Sequence, residues 1–513
     1  MILLTGVPSP LIWDTNPLKI FVKAKDCNMK LSSLIKSLSE FECKKTIANK
    51  HITGIHYDSR KIEPDNLFVA IRGHKTDGHQ FISQAINNGA CAIVSEETLS
   101  DNLNCISIKV PDSRKAMAYL SKAFYEDPSS KICLIGITGT NGKTTTAYLI
   151  ENILKEKGFS TGVISTIEYR YDDNVFPNPL TTPESLDLQR ILFEMVTSGI
   201  SHVIMEVSSH ALDLDRVLGC AYDQVVFTNL SQDHLDYHQT MAAYWQCKQK
   251  LFDAPYTSQG KNVHAVINCT NEYGMELKDN IQISKILVGD SHENDIYCQN
   301  PVVTLSCISG TIETSRGRIS MKSPLTGLHN LQNILCAAGV GLALDIPLKD
   351  ISIGISKTLS VPGRLERLTE FKDRYVFVDY AHTPDALENV IQCIRQSLTK
   401  RLITVFGCGG DRDRAKRPLM GQIAAKFSDI CIITSDNPRS ESPDAIINDI
   451  CEGIPDQKSY IVEPDRKKAI ELAIKTSCTD DVVLIAGKGH ETYQILKDRT
   501  IDFDDRRCAL NSI

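Results

Sequence analysis

The sequence predicts a three-domain α/β protein, and two observations carry that prediction. Between residues 132 and 158 an apolar run, a loop rich in glycine and threonine, and an amphipathic helix follow one another, as ICLIGITGTNGKTTTAYLIENILKEKG. After residue 361 one grammar recurs four times: an apolar strand, a polar loop with glycine or proline, then a helix. Along the chain, the first section, residues 1–111, contains GIHYDSRKIEPDNLFVAIRGHKTDGHQFISQAINNGACAIVSE, whose short strands, turns and single helix read as a small α/β domain. The second, residues 112–360, opens with a helix from Ala116 to Tyr125. Its strands at HVIMEV, DQVVFTN and HAVINC, separated by helical stretches, predict a parallel sheet. The third, residues 361–513, reads as a Rossmann-like domain.

The run Ile132 to Ile137 is short and β-branched, which suits a buried strand, and Leu149, Ile150, Ile153 and Leu154 recur at helical spacing until Gly158. Strand, glycine loop and helix N-terminus together present backbone N–H groups and a positive dipole end to an anion. Lys143 adds a point charge and Thr144 a hydroxyl able to ligate Mg²⁺. The spacing G-x-x-x-x-G-K-[ST] is not met, because Ile137 stands where the first glycine belongs. An ordinary glycine turn before a helix is the alternative. The phosphate reading makes the central section a P-loop-type parallel-sheet ATPase domain.

Composition excludes several classes. A formal net charge of −7 gives no support for binding nucleic acid or anionic membrane. The 17 cysteines include no C-x-x-C pair and read as reduced thiols. No run approaches the length of a membrane span, and the opening MILLTGVPSPLIW lacks a basic leader region, so a soluble, cytoplasmic protein is expected.

In open α/β sheets ligands bind outside the carboxyl ends of the strands. The loops VDYAHTPD, VFGCGGDRD, IITSDNPR and LIAGKGHE should therefore share one edge, bringing His382, Asp385, Asp411, Arg412, Asn437, Arg439, Lys488 and Glu491 to one crevice. In the central section MEVSSHALDLDR places Glu206 at a strand end and TNLSQDHLDYH places His234 just beyond another. Both are candidate Mg²⁺ ligands beside the phosphate loop, the carboxylate more usual than the imidazole. Lys248, in AAYWQCKQKLF, reads by itself as a solvated helical lysine.

GTNGKTTT, EVSSHALDLDR, TNLSQDHLDYH, GLHNLQN, VPGRLE, DYAHTPDAL, GCGGDRDRAKRPLMG, SDNPRSE and AGKGHETYQ, in this order, resemble the Mur ligases of peptidoglycan synthesis, from about Asp58 to the C-terminus. DSR and DGH in the first section and DNPR in the last resemble the branch that adds meso-diaminopimelate to UDP-N-acetylmuramoyl-L-alanyl-D-glutamate. The resemblance implies an ATP-dependent, Mg²⁺-requiring amide ligase, working through an acyl phosphate. ATP would be held by Gly139, Thr140, Asn141, Gly142, Lys143, Thr144, Thr145 and Asn330. The metal would be held by Thr144, Glu206, His234 and Lys248, the lysine carbamylated. Lys143, Lys248, His234 and Glu206 would form the catalytic group. The UDP-substrate would meet Tyr57, Ser59, His74, Lys75 and Thr76, and also Thr181, Thr182, Ser208 and Arg216. Diaminopimelate would meet Arg412, Asp436, Asn437, Pro438, Arg439, Gly487 and Glu491. Small-molecule partners only, and a monomer, are expected.

Two departures stand out against the family pattern: His329 where an aromatic is usual and Leu214 where glutamine is frequent. Residues before Met29 resemble nothing in the family, and MKLSSLIKSL resembles its usual opening, so the expectation is that Met29 is the initiator or that residues 1–28 are dispensable. Alternatives are a lysine-adding relative or a folylpolyglutamate-synthase-like ligase, and, from another class, a nucleotide switch that makes no bond.

Overall fold

The computed structural model describes residues 28–43, 50–73, 76–100, 102–178, 180–398 and 400–513. The expectation about the first 28 residues lies almost wholly outside them. The chain forms two compact units that meet between Glu126 and Asp127.

In the first unit, strands Gly54–His56, Asn66–Val69, Ala92–Ser95 and Ile106–Lys109 pair in that order, all parallel. Phe68 and Ile93 of the sheet pack with Ile82 and Ala85 of helix Ile82–Asn87. Helix Ser113–Phe124 starts where the Asp112 carboxylate accepts from the N–H groups of Arg114 and Lys115. It buries Ala116, Met117, Leu120 and Phe124. The sequence reading opens the second domain with this helix, but it packs on the first unit, against Ala92–Ser95 and helix Leu31–Leu34. An amphipathic stripe says that a helix must be covered, not by which neighbour.

The second unit holds two sheets. The larger has eleven strands, and its centre positions the site: Cys133–Thr138 lies between His202–Glu206 and Gln224–Phe227, parallel to both. Glu206 pairs with Ile137, and Phe227 with Thr138, so three carboxyl ends lie side by side. Helix Lys143–Glu156 leaves this edge and buries Leu149, Ile150, Ile153 and Leu154 against helices Leu328–Ala343 and Leu348–Lys357. Antiparallel strands extend both flanks. Glu168–Tyr171 and Asn174–Pro177 form one hairpin, and Ile296–Val303, Ile308–Thr314 and Gly317–Ser323 form a meander at the other.

The second sheet has the order Glu366–Arg367, Tyr375–Asp379, Val482–Ala486, Leu402–Phe406, Ile430–Ile433, Tyr460–Val462, with only the first strand antiparallel. Its four central strands are nearly all apolar, as in a sheet covered on both faces. Their carboxyl ends put the four polar loops on one edge, as the repeated grammar requires. Among the described residues no helix is long and apolar enough to cross a membrane.

Candidate active site

The phosphate loop is shaped by two glycines and braced from the next strand. Gly139 has φ 147° and Gly142 φ 87°. A Cβ on Gly139 would stand 1.9 Å from Thr228 Oγ1, and one on Gly142 2.2 Å from Asn333 Oδ1, so a side chain at either place would displace a bracing residue as well as strain the backbone. The Thr140 N–H donates to Asn229 O at 2.9 Å and the Asn141 N–H to Asn229 Oδ1 at 2.9 Å. Thr228 Oγ1 donates to Asn141 O at 2.7 Å, and the Ser231 N–H to Thr140 Oγ1 at 3.1 Å. Gly142 offers helix Lys143–Glu156 no side-chain cap. The first-turn N–H groups, which have no partner within a helix, are thus available to an anion together with the dipole.

Two amines converge on one carbonyl. Lys143 Nζ donates to Gly139 O and Thr140 O, each at 2.8 Å, and Lys248 Nζ donates to the same Gly139 O at 2.8 Å. Lys248 is not the solvated lysine that its helix suggests: it is 1% exposed and lies over the Tyr244 ring, 4.7 Å from the centroid. Burial, with the Lys143 ammonium as the next cause, holds its pKa well below the ordinary lysine value. Burial also lowers Lys143, and nearby Glu206 opposes that shift.

Glu206 is wholly buried, and its carboxylate accepts from Thr166 N at 3.2 Å and Thr166 Oγ1 at 3.0 Å. Among the described residues no lysine or arginine forms an ion pair with it. A buried carboxylate without a direct counter-charge suits a bound cation. Thr144, 3% exposed, brings a hydroxyl to the first turn of the neighbouring helix. His234 sits in the left-handed region (φ 53°), its Nε2 3.6 Å from Asp233 Oδ2. Its pKa is lowered, chiefly by burial, although Asp233 raises it. Thr182 Oγ1 donates to Glu206 O at 2.8 Å and accepts from the Ser208 N–H at 3.1 Å, while Thr166 and Thr181 share a hydroxyl contact of 3.1 Å. Arg216 pairs with Glu184 at 3.0 Å and donates to Thr182 O at 3.2 Å. Thr181, Thr182, Ser208 and Arg216 therefore form one polar strip leading away from Glu206.

Three residues the sequence reading passed over, Asn333, Arg364 and Asp379, belong here together with Asn330, which it named. Asn330, 2% exposed, donates to Thr326 O at 2.8 Å and accepts from Asn333 Nδ2 at 3.0 Å. Asn333 itself lies against Gly142 and accepts from Thr146 Oγ1 at 3.4 Å. Its position three residues after Asn330, on the same helix face, was the available signal. Arg364, in VPGRLE, lies 5.2 Å over the Tyr380 ring with its Nε buried and without a hydrogen bond. Its charge is a lesser cause, after burial, of the lowered pKa of Lys143. Asp379, at the adjacent strand end, accepts from the N–H groups of Leu365 at 2.5 Å and Ala381 at 2.8 Å.

On the second sheet's edge the DNPR loop lies against the AGKGHE loop. Asn437 Nδ2 donates to Glu491 Oε2 at 2.9 Å, and Lys488 Nζ, wholly buried, donates to Asn437 Oδ1 at 3.1 Å and Glu491 Oε2 at 3.0 Å. Arg439 has φ 52°; its Nη1 donates to Gly410 O at 2.9 Å. Gly409 is where Arg412 and Arg439 meet: a Cβ there would stand 2.8 Å from Arg439 Nη1 and 3.8 Å from Arg412 Cγ. A latch holds the two arginine loops together. Asp411 accepts from Ser440 Oγ at 2.6 Å, and Glu441 accepts from Asp411 N at 2.6 Å. Wholly buried Arg417 grips Glu441 at 2.8 Å and Asp449 at 2.8 Å, and holds the Glu441 carboxyl down to about 2.

Family models match the chain in three stretches: the Mur ligase family, catalytic domain, over residues 51–125, the Mur ligase middle domain over 137–341, and the Mur ligase, glutamate ligase domain over 363–489. The chain belongs to the Mur ligase family. The UDP-N-acetylmuramoyl-L-alanyl-D-glutamate--2,6-diaminopimelate ligase of Solibacter usitatus is 45% identical over 464 residues, covering 90% of this chain and 94% of the relative. The protein of the same name from Geobacillus thermodenitrificans is 43% identical over 484 residues, covering 94% and 98%. A solved structure described by that ligase name superposes with TM-score 0.70 at 31% identity, covering 94% of this chain and 99% of its own.

In this Mur ligase the sequence-predicted residues fall into separate groups. Gly139 to Thr145, Glu206, His234 and Lys248 surround the phosphate loop, with Asn330 one residue removed. Arg412, Asp436, Asn437, Pro438, Arg439, Gly487 and Glu491 lie together on the second edge. His382 joins that edge through its carbonyl, which accepts from Lys416 Nζ at 2.8 Å, whereas Asp385 is exposed. In the first unit Ser59 is buried and donates to Gln84 Oε1 at 2.8 Å, Tyr57 is half-buried and Thr76 is exposed. His74 and Lys75 lie outside the described residues. Asp77, His79 and Glu97 cluster in this unit at metal-like spacing. Both ring nitrogens of His79 are engaged, Nδ1 by Asp77 at 2.6 Å and Nε2 by the Glu96 N–H at 3.2 Å, which leaves no lone pair for an ion.

Proposed function

We infer that the protein is an ATP-dependent, ADP-forming ligase that joins meso-diaminopimelate to UDP-N-acetylmuramoyl-L-alanyl-D-glutamate in peptidoglycan precursor synthesis. The observation that carries this reading is the meeting of the relatives' shared name with an edge that gathers Arg412, Arg439, Asp436 and Glu491. Two cations and two carboxylates suit an amino acid with a second ammonium and a second carboxylate.

Amide formation from a free carboxylate is uphill in water, so the carboxylate is activated first. An oxygen of the D-Glu side-chain carboxylate attacks the γ-phosphorus and ADP leaves. The amine then attacks the acyl carbon, losing a proton, and phosphate leaves. Phosphoryl transfer needs charge compensation and alignment more than covalent help. Lys143, Arg364 and the first-turn N–H groups are suited to supply both. Mg²⁺, when held by Thr144, Glu206, His234 and a carbamylated Lys248, would add neutralising charge to the triphosphate. Thr181, Thr182, Ser208 and Arg216 are proposed contacts for the UDP-substrate. Tyr57, Ser59, His74, Lys75 and Thr76 are proposed for its uridine and pyrophosphate.

The test is phosphate release, measured with ATP, the UDP-dipeptide and a panel of amino acids. Release that requires the UDP-dipeptide and meso-diaminopimelate together is expected. Release with lysine in its place would favour the lysine-adding relative, and release without any amino acid would favour a nucleotide switch.

Carbamylation begins when a neutral amine attacks the carbon of carbon dioxide and then loses a proton, and the depressed pKa of Lys248 enlarges the neutral fraction. Lys248→Ala is expected to be nearly inactive and partly restored by short carboxylates able to occupy the vacated anionic position; bicarbonate removal should slow the unmodified enzyme. Full activity of the alanine variant would exclude this role.

A further inference from the structure

We propose that Arg466 is a positioning residue of the amino-acid site: its guanidinium, gripped from below by Asp505, orients Asp436 so that the Asp436 carboxylate receives an ammonium group of the incoming amino acid. The proposal rests on the function inferred above and adds a residue outside the loops that form the edge.

Arg466 opens helix Arg466–Thr476, and its side chain is wholly buried. Nε donates to Asp505 Oδ1 at 2.8 Å and Nη2 to Asp505 Oδ2 at 2.7 Å, a two-pronged pair in which both side chains are 0% exposed. Nη2 also donates to Ala486 O at 3.0 Å, the last residue of the strand that leads into Gly487. One guanidinium thus ties the C-terminal helix Asp505–Leu510 to the strand end beneath the AGKGHE loop.

Nη1 is the unusual atom. It is buried without a hydrogen-bond partner and faces Asp436 Oδ2 at 4.0 Å. That distance is an ionic contact, not a hydrogen bond. A buried donor left unpaired is costly, and an arginine serving only to anchor a helix gains nothing from holding one in reserve. The other Asp436 oxygen accepts from the Asn437 N–H at 2.7 Å, which fixes the carboxylate plane and turns Oδ2 toward Gly487. A Cβ on Gly487, at φ 116°, would stand 2.8 Å from Asp436 Oδ2 and 3.9 Å from Arg466 Nη2. Glycine therefore keeps the space beside that oxygen open. Asp436 lies between a buried cation and this opening, the arrangement of a carboxylate that accepts a second cation. Because Arg466 is 2% exposed, it acts through Asp436 and does not touch substrate.

The test is a comparison of kcat, and of KM for all three substrates, in the full-length enzyme and in Arg466→Lys, Asp436→Asn, the double variant and Asp505→Asn, with thermal midpoints measured alongside. Lysine keeps the charge but cannot grip Asp505 and face Asp436 together. Arg466→Lys is expected to raise KM for the amino acid by about tenfold or more, the scale of one charge-assisted contact, and to leave KM for ATP and the UDP-dipeptide unchanged. The double variant should be no worse than Asp436→Asn alone, because both changes remove the same contact. A uniform loss across all substrates, or losses that add in the double variant, would overturn the proposal. If Arg466→Lys does not fold, Asp505→Asn decides it by the same split. The unmodified enzyme separates the two inferences: inactivity with meso-diaminopimelate refutes the function, whereas a uniform loss in the variants of an active enzyme refutes only the role of Arg466.

Discussion

Replacing Arg439 with alanine is expected to lose turnover of meso-diaminopimelate by far more than it loses turnover of lysine. The two amino acids differ by a carboxylate at the far end, and a guanidinium reads a carboxylate through two parallel charge-assisted hydrogen bonds. The structure orients Arg439 for that task. Its main-chain N–H donates to Ile495 O at 3.1 Å, and Nη1 is fixed on Gly410 O at 2.9 Å. Among the described residues no hydrogen bond engages Nε or Nη2, the pair that would form the fork. The residue also holds φ 52°, a region that bulky side chains rarely occupy, so the surrounding loops specify this position strongly. Lysine as substrate would leave the fork desolvated and unpaired, a penalty that can reach about 10⁴-fold in discrimination. Arg439→Lys should not restore selectivity, because a point charge cannot reproduce the fork. The measurement is kcat/KM for both amino acids in the native enzyme and both variants. Equal losses for the two, or a native enzyme that prefers lysine, would remove Arg439 from the specificity site.

The second large effect is expected at the phosphate loop. Lys143→Ala should keep the fold and lose at least about 10²-fold in turnover, the scale of removing one preorganised electrostatic partner. The side chain is not part of a core: its Nζ is tied only to the carbonyls of Gly139 and Thr140, and the bracing from Thr228, Asn229 and Ser231 does not involve it. Its charge is a named cause of the lowered pKa of Lys248. The variant should therefore also raise the Lys248 pKa and reduce its neutral fraction, a second route to lost activity. Phosphate release under single-turnover conditions, with the melting midpoint as control, measures the effect. Near-normal turnover would refute the assignment of this loop to the triphosphate.

Local chemistry was enough, in the sequence alone, for the three α/β sections, the glycine loop before helix Lys143–Glu156 and the shared edge of four loops. Each is written in a period or a spacing that a single segment carries. The meander Ile308–Thr314 and Gly317–Ser323 was legible in the same way, since Ile308, Ile312, Ile319 and Met321 are buried at even spacing around the turn at Gly317, but the reading passed over it. Other features depend on which segments meet. Lys248 looks like any lysine on a short helix until the fold sets it against Gly139 O, 109 residues away, where burial removes its water. Arg364 sits in VPGRLE with no residue chemistry that assigns it a role, and becomes relevant only because the fold lays its guanidinium over the Tyr380 ring and puts its charge among those that bear on Lys143. Arg417 and Arg466 are ordinary helical arginines in sequence. Tertiary structure alone decided that they are buried and two-pronged, because the energy of a buried charge is set by partners that lie far away along the chain.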